Sequence, residues 1–370
     1  MSRMWAIVER ELRRFRRSPI LIVVSMIFPL CQLVILGYAF GGNVKHLKVA
    51  VVDQDHGLPA VKIRELAQAA ASGARTIDLI DYADQGRAVA DLRNGLVNGV
   101  LTIPPEFSRR VLVKNEPRVA LIEDNTDNVV AGALASTMAS MLVAYNEPPT
   151  PARVVEKAAL DVVEVYPYVP YIQYLLPGII VMSIFMMVMI GGGIIFIDDK
   201  ARGLHEGYLV TPISKLELIA GFNVSGTIKA VLAGCTIAII GSLIAGVPNP
   251  LDPLRFVRLA LLIVVTSFAL ISMMFLIMVR VSDPLMPRAI FGLLNTVLYF
   301  PSGAVYPQQG FPGWMQAIAA VDPFTYAVHG FKSLLLKNTG IDAITTDLLY
   351  LVAFSIVAMT AATSLFKRTL

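Results

Sequence analysis

The chain has 370 residues, 56% of them hydrophobic and 16% charged, with a mean hydropathy of +0.66 and a net charge of +4. Ordinary soluble domains are about 45–50% apolar and about 25% charged, so composition excludes that class and points to an integral membrane protein. The two cysteines, Cys31 and Cys235, both fall in apolar runs, which gives no support to a disulfide framework.

Residues 1–19 form the first segment, and within it residues 2–18 read as a helix on the inner membrane surface. Trp5, Ile7, Val8, Leu12 and Phe15 fall near helical spacing. Arginines, among them Arg10, Arg13 and Arg14, fill the other face. That is the pattern of an interfacial helix over anionic lipid. Ser18-Pro19 then breaks the chain before the first apolar run.

A membrane span needs about 20 mostly apolar residues to cross a core about 30 Å thick. Six runs qualify: Ile20–Phe40, Tyr171–Ile197, Thr227–Gly246, Phe256–Val279, Ala289–Tyr306 and Asp347–Phe366. The first span takes residues 20–44. It is too long for a cleavable leader and no small-residue cleavage site follows it. The fifth is the weakest run, because Pro301 and Gly303 interrupt its end.

Lys and Arg in the short loops set the orientation. The side holding both termini has Arg3, Arg10, Arg13, Arg14, Arg16, Arg17, Lys200, Arg202, Lys215, Arg280, Arg288, Lys367 and Arg368. The opposite short loops hold Arg255, Arg258, Lys332 and Lys337. Thirteen against four puts both termini in the cytoplasm and residues 45–165 outside.

Residues 45–165 alternate between strand and helix patterns. Leu47–Asp53, Thr76–Tyr82, Gly99–Pro105 and Arg118–Asp124 read as strands. Leu58–Ala71, Gln85–Asn94 and a long stretch from Asn128 to Tyr145, resuming after Pro148-Pro149-Thr150-Pro151, read as helices. The expected unit is an α/β extracytoplasmic domain inserted between the first and second spans. Tyr166, Tyr168, Tyr171 and Tyr174 gather where it returns to the membrane, as tyrosines do at headgroup level. The remaining 166–370 form a membrane domain with spans two to six. It carries a charged amphipathic loop at 198–222 and an outer segment at 307–338 that reads as short re-entrant or surface helices.

Chemistry-bearing motifs are scarce. Gly221–Gly226 followed by Thr227 imitates a phosphate loop, but the required lysine is missing. His46, His56, His205 and His329 are scattered, and Asp53-Gln54-Asp55-His56 fits a solvated turn better than a metal site. No cofactor or metal is expected. Lys229 is the only charged candidate inside a span, near its cytoplasmic end, from where a lysine can snorkel. Gln32 and Asn295 lie mid-span and either line a path or bond between helices. Met182 and Met186 suit an adaptable apolar path or ordinary packing.

Three segments carry a resemblance. They are Tyr174–Ile180 (YLLPGII), the loop with Asp199, Lys200, Arg202, Gly203, Glu206, Leu209, Thr211, Pro212 and Ser214, and Pro301–Gly330. With the basic helix, single span, outer domain and five further spans, the chain resembles the type-2 ATP-binding-cassette exporter permeases with a large extracytoplasmic domain. Two positions depart from the pattern: Phe222 stands where the family has Lys, and Asp322 where it has Asn.

The resemblance implies a six-span permease subunit in the cell's inner membrane, exporting amphipathic small molecules or lipid-like compounds. ATPase activity would belong to separate cytoplasmic ATP-binding-cassette subunits. Two permease subunits, identical or related, would pair, with membrane lipids around them, a periplasmic adaptor as a further admissible partner, and no nucleic acid. ATPase coupling would fall on Asp199, Lys200, Arg202, Gly203, Glu206, Thr211, Pro212 and Ser214, beside the interfacial helix with Trp5, Arg10, Arg13 and Arg14. The translocation path would take Gln32, Met182, Met186 and Asn295. The competing reading is a membrane-anchored scaffold whose outer domain recruits envelope partners.

Overall fold

The structure is a computed structural model. It describes residues 2–41, 45–74, 76–124, 126–146, 168–194, 197, 213–250, 252–279, 281, 283 and 286–365. These form two compact units: Met1–Gly41 with Glu164–Leu370, and Gly42–Val163.

The first unit is helical. An amphipathic helix α1 (Ser2–Arg16) precedes α2 (Pro19–Gly41). Five helices among the described residues are long and apolar enough to cross a membrane: Ile22–Phe40, Tyr171–Gly193, Leu216–Ile244, Pro253–Met278 and Ile341–Leu365. The Ala289–Tyr306 run does not join them. It forms a 14-residue helix, Met286–Tyr299, about 21 Å long at 1.5 Å per residue and so short of a full crossing. Its end is fixed by Ser302, whose hydroxyl donates to the Tyr299 carbonyl (2.7 Å), and by Gly303 at φ 82°. A side chain at that φ would be strained.

After α2 come α3 (Leu58–Ala74), α4 (Gln85–Arg93), α5 (Phe107–Val113) and α6 (Asn128–Asn146) in the second unit. Then follow α7 (Tyr171–Val188), α8 (Lys215–Ile244), α9 (Pro253–Met278), α10 (Met286–Tyr299), α11 (Gly313–Val321), α12 (Pro323–Leu335) and α13 (Thr345–Leu365). The stretch expected to be re-entrant resolves into a 3₁₀ turn (Gln308–Gly310), α11 and α12.

Helix α7 is the hub: it packs on α2, α8, α9 and α12, and its residues from Leu175 to Val188 are all buried. It runs on as a π-helix, Met189–Ile194, through Gly191, Gly192 and Gly193. Apolar area alone gives helices no reason to associate in lipid, so close packing of small residues matters there. Ile271 of α9 supplies the clearest case. A Cβ on Gly226 would stand 2.6 Å from its Cδ1, and one on Gly192 would stand 2.7 Å away. The Gly-x4-Gly of the apparent phosphate loop therefore lies inside helix α8, and Gly226 serves helix contact.

The second unit is a four-stranded mixed sheet with order β2-β1-β3-β4. The strands are β1 (Leu47–Asp53), β2 (Ile77–Tyr82), β3 (Gly99–Ile103) and β4 (Ala120–Glu123). β1 is parallel to β2 and β3, and β4 runs antiparallel to β3. Alternation gives each face its own core. Val49, Leu101 and Ile103 pack with Ile63, Leu134 and Met138 of the helices on one side. Ala50, Val52 and Val100 meet Ala88 and Leu92 of α4 on the other. Helix α5 was not anticipated after Pro104-Pro105. The helical stretch expected beyond the Pro148–Pro151 break lies outside the described residues.

Substituting Gly226→Val should lower the thermal midpoint of the detergent-purified chain, since overpacking typically costs about 1–3 kcal/mol. Adding Ile271→Ala should recover part of the loss. Equal midpoints for wild type and Gly226→Val would show that α8 and α9 do not meet through this glycine.

Candidate coupling site

Helix α1 has one acidic residue on its apolar side. Ile7, Val8, Glu11 and Phe15 repeat at helical spacing and all are buried, Glu11 at 1% exposure. They face α8, along which α1 packs. Gly221 makes the approach possible: a Cβ there would lie 3.0 Å from Ile7 Cβ. The apolar stripe expected to rest on lipid is thus divided. Ile7, Val8 and Phe15 bind protein, while Trp5 stays 58% exposed on another face. Arg10 pairs with Glu11 at 3.2 Å, Arg13 pairs with Glu9, and Arg14 is half-buried.

Glu11 meets a lysine from the middle of the neighbouring helix. Lys229 Nζ donates to Glu11 Oε2 at 3.0 Å and to the Gly191 carbonyl at 2.9 Å. Both side chains are 1% exposed. The snorkelling expected of Lys229 does not occur, because a carboxylate from α1 reaches it inside the protein. The π-helix supplies the second bond. Gly191 lies within it and presents its carbonyl to the ammonium. Three elements, α1, α8 and the end of α7, are joined at one charge. A buried pair of this kind is seldom a large net stabiliser, but losing one partner costs about 3–5 kcal/mol.

A polar seam continues the junction between α8 and α9. Asn223 Nδ2 donates to the Ile219 carbonyl (3.2 Å), and Ser272 Oγ donates to Asn223 Oδ1 (3.0 Å). Phe222 is buried beside Phe275, with ring centroids 6.1 Å apart. A lysine at 222 would carry its charge into that core.

Of the expected coupling residues, Asp199, Lys200, Arg202, Gly203, Glu206, Thr211 and Pro212 lie outside the described residues. Ser214 is described, as the N-cap of α8, which begins at Lys215. The cap is reciprocal: Glu217 N–H donates to Ser214 Oγ (3.2 Å), and Ser214 N–H donates to Glu217 Oε2 (2.9 Å). Such a capping box fixes where the helix starts. The charged loop therefore ends by Ser214, and 215–222 belong to the first turns of α8.

Met182 and Met186 are 2% and 7% exposed inside the helical core. Gln32 Oε1 on α2 and Asn295 Oδ1 on α10 are buried with no hydrogen-bond partner among the described residues. The buried pair missed in the sequence, Glu11 and Lys229, did leave a signal. Glu11 stands four residues from both Ile7 and Phe15 on the apolar stripe, an unlikely place for a lone acid unless a base answers it.

Replacing Glu11→Ala should lower the thermal midpoint strongly, by about 3–5 kcal/mol of stability. The double variant Glu11→Leu with Lys229→Met should regain most of that, since well-packed apolar replacements of buried pairs are often neutral. A double variant no more stable than Glu11→Ala would refute the pairing.

The sequence profile described as "ABC-2 family transporter protein" matches residues 19–363. The chain is similar to the probable multidrug ABC transporter permease YbhR of Escherichia coli (strain K12). The two are 22% identical over 376 residues, covering 99% of this chain and 98% of that one. It is also similar to the daunorubicin resistance ABC transporter permease protein DrrB1 of Streptomyces coeruleorubidus. There the identity is 27% over 173 residues, covering 46% of this chain and 59% of DrrB1. The inner membrane transport permease YadH of Escherichia coli (strain K12) is 24% identical over 190 residues, covering 50% of this chain and 73% of YadH. With the apolar helices and the α1–α8 junction in place, the chain belongs to the ABC-2 transporter family, as the membrane permease subunit of an ABC exporter.

Proposed function

We propose that this permease exports amphipathic small molecules or lipid-like compounds across the inner membrane, driven by separate cytoplasmic ATPase subunits. The substrate class is supported by the relatives named for multidrug and daunorubicin resistance and by the strongly apolar helical core. Both termini are cytoplasmic in this reading. The sheet unit is extracytoplasmic, α10 stands where the fifth crossing was expected, and α11 and α12 lie in the outer segment. Two permease subunits pair, and the exposed apolar surface of α2, with Ile20, Val23, Ile27, Ile35 and Tyr38, suits lipid or that second subunit. Gln32 and Asn295 then face the path that opens between subunits.

The observation that carries the coupling is the buried contact of Glu11 with Lys229. ATPase closure acts on α1 and on the segment 198–214. Both lead into α8, one through the ion pair and the other through the Ser214 cap. The Gly191 carbonyl relays the same movement to α7. Physically this is a short lever: the capped start of α8 has no slack between the loop and the charge.

Two measurements test this. The stable Glu11→Leu/Lys229→Met double variant, purified with its ATPase, should retain basal ATP hydrolysis while transport per ATP falls several-fold. Wild-type transport per ATP in that variant would make the pair merely structural. Glu206→Lys or Pro212→Gly should likewise reduce transport and coupled hydrolysis without loss of membrane insertion. Full coupled activity in both would remove segment 198–214 from the ATPase interface.

A further inference from the structure

At the opposite end of α7 from Gly191, the helical unit contains a cavity of about 490 Å³. Its wall comes from α7 (Tyr174), the turn after α10 (Gly303, Gln308), α12 (Thr325, His329, Lys332) and α13 (Asp347). Two of the quoted sequence motifs meet here. Gly178 of YLLPGII lies against Ala304, where a Cβ would clash at 2.5 Å. Tyr171 and Tyr174 donate to the carbonyls of Val305 (3.0 Å) and Gly303 (3.4 Å). These tyrosines brace the turn that shapes the cavity, in addition to any role at headgroup level. Asp322 caps α12 by accepting from the Phe324 N–H at 2.9 Å, a task Asn performs equally well.

The charge in this cavity is unbalanced. Lys332 Nζ donates to the Gly303 carbonyl at 2.6 Å and lies 3.7 Å from the centre of the Tyr174 ring. An ammonium has three N–H donors, and no carboxylate among the described residues pairs with this one. Loss of water lowers the Lys332 pKa to about 8, the sign of a cation whose surroundings do not compensate it. The carboxylate nearest in the wall is engaged: Asp347 Oδ2 holds His329 Nδ1 at 2.8 Å. That hydrogen bond raises the His329 pKa and favours its cationic form. The cavity therefore presents two bases against one acid.

We propose that this cavity binds the anionic head group of an amphiphile, a phosphodiester or a carboxylate, with Lys332 as its charge partner and His329 at its mouth. A cationic head group is disfavoured because Lys332 already occupies the face of Tyr174, the surface such a group would need. Gln308 Nε2 donates to the Pro301 carbonyl and to Thr325 Oγ1, both at 3.4 Å, which leaves the Thr325 hydroxyl proton to bond an oxyanion. The amphiphile argument comes from position. Two membrane-length helices start beside the cavity, Tyr171–Gly193 and Ile341–Leu365, so an attached apolar tail has hydrophobic helix surface next to the head-group site. The site depends on the chain being membrane-embedded, and it is independent of which compound is exported.

The test uses the purified full-length chain in phosphatidylcholine nanodiscs, titrated with fluorescent phosphatidylglycerol. Expected is binding at least tenfold tighter than for the matching phosphatidylcholine probe. Lys332→Gln should lose that preference, His329→Gln should weaken it about threefold, and Lys332→Arg should keep it. If Lys332→Gln fails to fold, the Arg and His329 variants decide: a preference unmoved by His329→Gln and lost in Lys332→Arg overturns the assignment. Inorganic phosphate at millimolar concentration separates the sources. Failure to displace the lipid supports an amphiphile, and full displacement makes this a site for water-soluble anions, overturning the proposal. The readout needs neither ATP nor transport, so a negative result leaves the exporter assignment standing.

Discussion

A lysine placed well inside an apolar helix has to be answered, and much of the helical unit follows from how Lys229 is answered. An unpaired charge at that depth costs several kcal/mol whichever scale is used. Here the compensation comes from Glu11, a residue of the helix that precedes the first span. The pairing obliges α1 to lie against α8. That contact then needs Gly221 beneath Ile7, and it leaves only part of α1 for lipid, the part with Trp5. The same ammonium takes the Gly191 carbonyl, so the π-helix at the end of α7 is held by a charge as well as by its own irregular ladder. A π-turn with three successive glycines would be a weak point in isolation. Bound to Lys229 and packed on Ile271, it has a defined place.

Hydrophobic burial cannot order helices relative to one another in lipid, since the tails are as apolar as the side chains. The chain uses two other means. One is steric: Gly192 and Gly226 both admit Ile271, and Gly178 admits Ala304. The other is polar: Asn223 with Ser272 ties α8 to α9 inside the core. Both specify one register between neighbours, because a shift by a single residue would put a side chain where the glycine was or leave a buried amide without its partner. The methionines fit this frame. Met182 and Met186 fill gaps between helices whose spacing the glycines have already set.

Local pattern was readable wherever one residue's neighbours in sequence decide its state. The strand Leu47–Asp53 has the same bounds in the structure, and the start of the helix at Leu58 and of that at Gln85 were visible in periodicity and caps. Reading failed where distant residues decide. Nothing near Lys229 in sequence announces Glu11, so a buried pair looked like a snorkelling end. The segment 198–222 read as one charged loop, yet the reciprocal bonds of Ser214 and Glu217 start α8 at Lys215. The Ala289–Tyr306 run counted as the weakest of six spans, while the hydroxyl of Ser302 and the positive φ of Gly303 end its helix at Tyr299. The tyrosines near 171 read as interfacial anchors, and what the sequence did not show is that two of them also donate to a turn distant in sequence.

Helix α7 connects the two charged places of the helical unit. Tyr174, in its first turn, carries Lys332 on its ring, and Gly191, about 25 Å further along at 1.5 Å per residue, carries Lys229 on its carbonyl. Between them the helix is buried on nearly every side. A helix so enclosed has little freedom to bend, and displacement at one end must appear as translation or rotation at the other. The exception is the π-helix, where an extra residue per turn can be gained or lost at small cost. Its position matters: it lies at the Lys229 end, between the ion pair and the rigid part of α7. In the proposed mechanism a movement of α1 would enter α7 through this π-helix, with Tyr174 and its turn at the far end of the buried section that follows.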